Sequence, residues 1–362
     1  RDDDTFSIVV VYVDDCIFAS TSPEWMSAFK AHLGGKQKVS FKGDIHDNTF
    51  LNIHMMRDRA ARTITLDVKR YIEEICVEHL IDSSRGITSE PSQVPTPVVP
   101  GARALTPITT DLAHAMATDK TDLSIHGEYP KMVGCINYIA TVSRPDISVA
   151  ACKLSRHMQQ QSDVHIVAAK RALRYLYTTR HDTFVIGGDV LTSNMLKIDT
   201  WTDSDWGTDP ADSVSYSGAM VRLGQTPIFW KTSKQKAIAR SSTEAELYAL
   251  NTGVKECVWL CMLVQEMGFR VRFPIPVHCD NSGAVYIANG SVTGSLRHVR
   301  LNVHYPRALV EEGFIRVDYC PTTDMLADGL TKELPKEPFN NSKKKLGMRT
   351  LRVDASLGGM LE

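Results

Sequence analysis

The sequence predicts a mixed α/β and α+β chain, with a hairpin and helices in its first half and a five-stranded mixed sheet with flanking helices in its second. Three observations carry this. Two apolar runs, Ile8-Val9-Val10-Val11-Tyr12-Val13 and Cys16-Ile17-Phe18-Ala19, enclose Asp14-Asp15 and read as strand, turn and strand. Apolar residues recur at helical spacing through 129–140, 147–158 and 163–179. From about Met195 three strand-like segments lead into an alternation of helix and strand, the pattern of a mixed sheet with helices on its faces.

Taken in order, residues 6–20 form the hairpin, its first strand read as buried. After Ser22-Pro23 a helix covers 24–33 and stops at Gly34-Gly35. Residues 50–56 and 63–66 pair across Arg57-Asp58-Arg59, and a helix from Val68 to about Leu80 shows the stripe Tyr71, Ile72, Ile75, Cys76 and Leu80. Pro91, Pro95, Pro97, Pro100 and Pro107 make 84–110 a linker or irregular wrap, because proline removes a backbone donor. The helix at 163–179 sets Lys170, Arg171, Arg174 and Arg180 opposite Ile166, Val167, Ala169, Leu173 and Leu176. Its basic side reads either as an ordinary solvated face or as a phosphate-contact face. In the second half come strands 196–202, 215–222 and 226–231, a helix 243–267, strand 275–279, a short helix after Asp280, a helical region 296–312, strand 314–319 and a helix from Thr322 to about Leu330.

A chain of 362 residues has room for two or three cores. Its net charge of −1 argues against a uniformly basic surface, so a grip on nucleic acid needs local patches. The eight cysteines show no CxxC spacing, which points away from zinc and toward a reducing compartment. No apolar stretch reads as reaching the roughly 20 residues of a membrane span, and no membrane partner is expected. Arg1-Asp2-Asp3-Asp4 lacks a signal-peptide pattern, and the first strand follows so closely that it reads as a domain short of its N-terminal part.

Acids mark the element boundaries. Burying Asp14 and Asp15 together would cost several kcal/mol without cations or donors, so the pair is either an exposed hairpin tip or a metal site for phosphoryl transfer. Asp203 closes the first strand of the second half, with Asp205 two residues on and pointing the same way. Glu246 fits a capping box with Thr243, or faces the sheet from the first turn between Ala245 and Leu247. Asp280 ends a strand, where it caps the next helix or lines a ligand crevice. Asp328 lies on a helix between apolar neighbours, either as an ordinary exposed acid or as a member of a site, with Asp324 one turn earlier as a geometric substitute. Converging carboxylates repel one another, and divalent cations hold them together. Four such acids can hold two magnesium ions about 4 Å apart, one activating water and the other stabilising a leaving oxygen.

Read together, Tyr12-Val13-Asp14-Asp15, Arg144-Pro145-Asp146-Ile147, Leu173-Arg174-Tyr175-Leu176, Ser241 to Glu246, Cys279-Asp280-Asn281, Leu326-Ala327-Asp328 and Leu330-Thr331-Lys332 resemble, in order and spacing, the C-terminal part of copia-type retrotransposon Pol polyproteins. The resemblance runs from about residue 8 to 340 and implies an incomplete reverse-transcriptase palm and thumb at 1–83, a linker at 84–119, a helical connection at 120–190, a ribonuclease H-like domain at 195–335 and a tail at 336–362. It implies that Asp14 and Asp15 match the palm aspartates, Asp14 being the firmer metal ligand, and that Asp203, Glu246, Asp280 and Asp328 match the four metal-binding positions of the nuclease, with Glu246 preferred to Glu244. Lys231, Lys234 and Lys236, in a segment implied to lie beside substrate, become candidate phosphate contacts with Lys170, Arg171 and Arg174. The implied cofactor is magnesium, two ions, with manganese as a substitute, and the implied partners are an RNA–DNA hybrid and the remaining Pol segments.

Departures from the family pattern shape the expectation. A polymerase needs a further aspartate and fingers for which no residue here has the context, so polymerase activity is expected only within a longer protein. Asn52 and His46 stand at usual glycines, Arg300 at a usual acid, and Pro306 within an expected helix, where proline costs about 3 kcal/mol. The alternative function is a non-catalytic nucleic-acid-binding remnant of a decayed or repurposed element.

Overall fold

Antiparallel pairing joins β1 (Ser7–Tyr12) to β2 (Asp15–Ser20) in a sheet of its own, with Tyr12 opposite Asp15. Helix α1 (Pro23–Lys36) follows, and its Phe29 meets Phe18 of β2 edge-on at 5.5 Å. The helix continues through Gly34-Gly35 instead of stopping there. Contrary to the expectation of a buried strand, β1 is largely exposed, Val11 at 65%, because within its two-stranded sheet only β2 pairs with it. The computed structural model describes residues 5–36, 47–80, 94–98, 127–159, 161–188, 195–209, 211–290 and 300–350. His46, most of the expected linker and Arg297-His298-Val299 lie outside these residues.

A second sheet is assembled from distant parts of the chain. Strands β3 (Asp47–Phe50), β4 (Ile53–Asp58) and β5 (Thr63–Asp67) form a meander, to which β6 (Asp182–Gly187) adds antiparallel. The β3–β4 turn holds Asn52 at φ +59°, a left-handed conformation that glycine adopts freely and asparagine tolerates. Helices α2 (Lys69–Leu80), α3 (Tyr129–Val142), α4 (Ser148–Ser155) and α5 (Asp163–Thr178) bury Ile72, Met132, Ile136, Ile166, Leu173 and Leu176 completely in one core. Each such side chain contributes about 1.5–3 kcal/mol. The 94–98 segment wraps this core through Val94 and Val98.

The Arg-Pro-Asp motif proves structural. Arg144 is fully buried and donates to both carboxylate oxygens of Asp146, at 2.9 and 2.7 Å, and to the Thr179 hydroxyl at 2.7 Å. Tyr175 donates to the same carboxylate at 2.6 Å, so the charges are paired and their hydrogen-bonding capacity is used.

After β7 (Met195–Leu196), the main sheet is built from β8 (Ile198–Asp205), β9 (Tyr216–Leu223) and β10 (Thr226–Lys234), antiparallel neighbours, and then β12 (Ile275–Cys279) and β13 (Ile315–Tyr319), parallel to β8; the short β11 (Arg270–Val271) pairs with β7. The order β10-β9-β8-β12-β13 puts β8 at the centre. Helix α6 (Ser242–Glu266) covers one face with Leu247, Leu250, Val254, Cys257 and Cys261 fully buried, joined by α7 (Ser282–Ala288). Contrary to the sequence reading, α6 is long and apolar enough by length and composition to reach across a bilayer, but many of its apolar residues form the core against the sheet.

Three further expectations are corrected. Helix α8 (Arg300–Glu311) runs through Pro306, held by the Arg307 guanidinium on the Ile287 carbonyl at 2.8 Å and by Leu309 and Val310 against the core. Residues 322–324 and 326–330 are two 3-10 turns in place of one α-helix. The expected tail instead contains α9 (Lys336–Lys345), which buries Phe339, and β14 (Met348–Thr350), which pairs with β6. Lys343 and Thr350 both bind Asp182, so strands from three of the expected units share one sheet.

Candidate metal centre

Asp203 sits inside β8 and not beyond its end, opposite Gly218 of β9 and 1% exposed. Its Oδ2 accepts the Thr331 hydroxyl and lies 3.6 Å from Lys332 Nζ. Glu246 reaches the same place because another residue does the capping. Ser241 Oγ accepts the Glu244 N–H at 3.2 Å and Glu244 accepts the Arg240 N–H at 2.9 Å, so the Thr243–Glu246 capping box does not form. Glu246 Oε1 accepts the Ser204 N–H at 3.0 Å and the Ser204 hydroxyl at 2.9 Å.

The same division of labour frees Asp280. Asn281, not Asp280, caps α7 by accepting the Ala284 N–H at 2.9 Å, and Asp280 Oδ2 accepts the Thr322 hydroxyl at 2.9 Å. One ligand atom each of Glu246, Cys279 and Asp280 lie within 4.8 Å of one another. Asp328, in the 3-10 turn, binds Lys332 four residues on; Asp324 stands exposed on the earlier turn. Glu246 and Asp280 thus share one ligand-sized cluster, Asp203 and Asp328 share Lys332, and Asp203 is close enough to Glu246, Asp280 and Asp328 for their charges to act on one another. Asp14 and Asp15 lie apart from them at the tip of the β1–β2 hairpin, where Val13 at φ +53° is strained for a β-branched residue.

Burial pushes the Asp203 carboxyl up to about 6; Lys332 and Thr331 oppose the shift, and Asp328 and Asp280 add to it. Glu246 is pushed up to about 8 by burial and then by the charges of Asp203 and Asp280, against the Ser204 hydrogen bonds. Burial works against the Lys332 ammonium, yet Asp203 and Asp328 outweigh it and hold the proton more firmly. Carboxylates gathered with too little positive charge, presenting mostly oxygen, suit a hard divalent cation.

Several contributors carried no assigned role in the sequence reading. Ser204 has no distinguishing local signal, and Thr331 stands in the Leu330-Thr331-Lys332 stretch with no role assigned to it. Cys279 donates its thiol to Glu246 Oε2 at 3.7 Å. Lys332 belongs to the same stretch as Thr331, and its i,i+4 spacing from Asp328 is the further signal that pairs the two acid and base partners. Gly218 leaves space for the Asp328 turn: a Cβ there would stand 2.8 Å from Thr331 Cγ2 and 3.1 Å from the Ala327 carbonyl oxygen.

The basic candidates divide. Lys231 and Lys236 are exposed. Lys234 is paired with Asp209 at 2.8 Å and Asp212 at 2.6 Å. On α5, Lys170, Arg171 and Arg174 are half-buried, and Arg171 donates to the Thr96 hydroxyl at 3.3 Å.

Fold and site together define a mixed α/β protein with a carboxylate cluster at the strand ends of its sheet. A retrovirus-related Pol polyprotein from transposon RE1 of Arabidopsis thaliana is 35% identical over 342 residues, 94% of this chain and 21% of the relative. That from transposon RE2 of the same plant is 34% identical over 355 residues, 98% of this chain and 22% of the relative. That from transposon TNT 1-94 of Nicotiana tabacum is 26% identical over 352 residues, covering 96% and 25%. The chain belongs to the copia-type retrotransposon Pol polyprotein family, and spans 21% and 22% of the length of the two Arabidopsis relatives. Solved structures similar to it include the N-terminal RNase H domain of Rv2228c from Mycobacterium tuberculosis, at 15% identity and TM-score 0.30 over 41% of this chain and 97% of that one. LC11-RNase H1 in complex with RNA/DNA hybrid is 15% identical with TM-score 0.29, over 37% and 94%. No family model matches the chain.

Proposed function

We propose that the second half of this chain is a ribonuclease H that hydrolyses the RNA strand of an RNA–DNA hybrid, and that the chain is part of an RNA-directed DNA polymerase in its full-length parent. What supports this reading above all is the clustering of Glu246 and Asp280 within ligand distance, with Asp203 and Asp328 joined through Lys332 and close enough to act on the same carboxyls electrostatically. These four acids would hold two magnesium ions, with manganese as a substitute. When bound, such ions activate water and stabilise a leaving phosphodiester oxygen.

The protein's own groups set the stage for that reaction. Thr331 orients Asp203, Ser204 orients Glu246 and Thr322 orients Asp280, each by a hydroxyl hydrogen bond. Water adds at phosphorus, the bond to the 3′ oxygen breaks, a proton ends on that oxygen, and the products carry a 3′-hydroxyl and a 5′-phosphate. Exposed Lys231 and Lys236 are best placed to meet phosphates, with Lys170, Arg171 and Arg174 as a further basic face. The 2′-hydroxyls of the hybrid's wide minor groove distinguish the strand to be cut. Asp14 and Asp15 would contribute to a polymerase site completed by other Pol segments, and the site of action would be cytoplasm, element particles or nucleus.

The test is cleavage of a labelled RNA–DNA hybrid in magnesium, with Asp280→Asn as control. Cleavage abolished by that change supports the nuclease. Tight hybrid binding with no scission in magnesium or manganese would establish the non-catalytic remnant instead.

A further inference from the structure

The carboxylate cluster is electrostatically lopsided. On one side, Glu246 and Asp280 have no lysine or arginine within ion-pairing distance among the described residues, and their neighbours there are hydroxyls and the Cys279 thiol. On the other, Lys332 Nζ bonds Asp328 and stands 3.6 Å from Asp203 Oδ2. One ammonium thus bridges two carboxylates carried by different elements, the place a cation shared by those two acids would take.

We propose that Lys332 is a tethered cation filling the Asp203–Asp328 half of the cluster, so that a divalent ion enters this half only by displacing its ammonium. The inference rests on the reading above, that the cluster binds metal. Three features make the exchange feasible. The Lys332 side chain is 33% exposed, and its four-carbon stem can swing toward solvent without moving the backbone. Its own N–H stays anchored on the Asp328 carbonyl at 3.2 Å, and so does the N–H of Thr331. Thr331 holds Asp203 by its hydroxyl independently of where the ammonium goes.

Two ions would therefore bind unequally. The first enters where Glu246 and Asp280 have no resident cation among the described residues. The second must break the Lys332 bridge, and a substrate phosphate offers the displaced ammonium a new partner. Lys332 would then couple hybrid binding to completion of the ion pair, a positioning role and not a catalytic one.

Manganese binding to the full chain, followed by electron paramagnetic resonance and calorimetry, tests this without reference to cleavage. The wild-type chain should take one ion firmly and a second about tenfold or more weakly, and Lys332→Met should tighten only the second by about that factor. Lys332→Arg, which keeps the charge, should behave as wild type. Two ions bound with affinities unchanged in Lys332→Met would overturn the inference and leave the metal reading standing. Failure of all forms to bind manganese would remove the metal reading itself. Acylation of Lys332 in the wild-type chain, read by mass spectrometry, needs no variant: saturating magnesium should raise it, and unchanged or lowered acylation counts against displacement.

Discussion

Asp203 and Gly218 face each other across the β8–β9 pair, and the glycine makes room for the turn that brings Asp328 to Asp203. A methyl at 218 would press on Thr331, Leu330 and the Ala327 carbonyl together. Gly218→Ala should cost about 1–3 kcal/mol of stability in urea unfolding. It should also weaken manganese binding while circular dichroism stays native. Unchanged binding would mean that the turn is positioned by something else.

Glu246→Gln keeps the shape that receives the Ser204 hydrogen bonds and removes a negative charge from the cluster. Hybrid cleavage should fall by about 100-fold or more, with the melting temperature of the metal-free protein equal to or above wild type. A variant of full activity would exclude Glu246 from ion binding.

The raised carboxyls set the pH dependence of the metal-free fold. Glu246 moves from 4.5 to about 8 and Asp203 from 3.8 to about 6, so the folded state binds protons more tightly than the unfolded chain. Their stabilising contribution is complete below the unfolded values and is lost as pH rises through the folded ones. In chelator, the melting temperature should decline as pH goes from 4.5 to 8; magnesium at pH 8 should restore it, and Glu246→Gln should flatten the upper part. Thermal scans across that range decide the matter, and a metal-free protein most stable at pH 8 would contradict it.

Arg144→Met would leave Asp146 charged, buried and short of its guanidinium. Breaking such a pair from one side costs about 3–5 kcal/mol. Chemical denaturation should show this loss, and Arg144→Met with Asp146→Leu should recover part of it. A loss below about 1 kcal/mol would mean that Tyr175 and Lys343 satisfy Asp146 unaided.

Removal of residues 336–362 tests whether the chain's end belongs to the fold. It would expose the surfaces now covered by Phe339, Leu346 and Met348 and leave Asp182 without Lys343 and Thr350. The melting temperature should drop by more than about 5 °C. A truncated chain as stable as the whole would restore the tail interpretation.

What the sequence determined by itself was local: the hairpin around Asp14-Asp15, the strand and helix alternation after Met195, and the assignment of Asp203, Glu246 and Asp280 to successive strand, helix and strand-end positions, Asp203 lying within its strand. Apolar period and turn residues act over a few positions, and a sequence displays them directly. Tertiary structure decided the rest. Whether Glu246 caps its helix or faces the sheet turned on Ser241 and Glu244; whether 336–350 trails or packs turned on β6; and Thr331 reaches Asp203 from 128 residues away. A carboxylate's partners and its proton affinity come from whatever the fold brings within a few ångströms of it, and that proximity is a property of the packed chain.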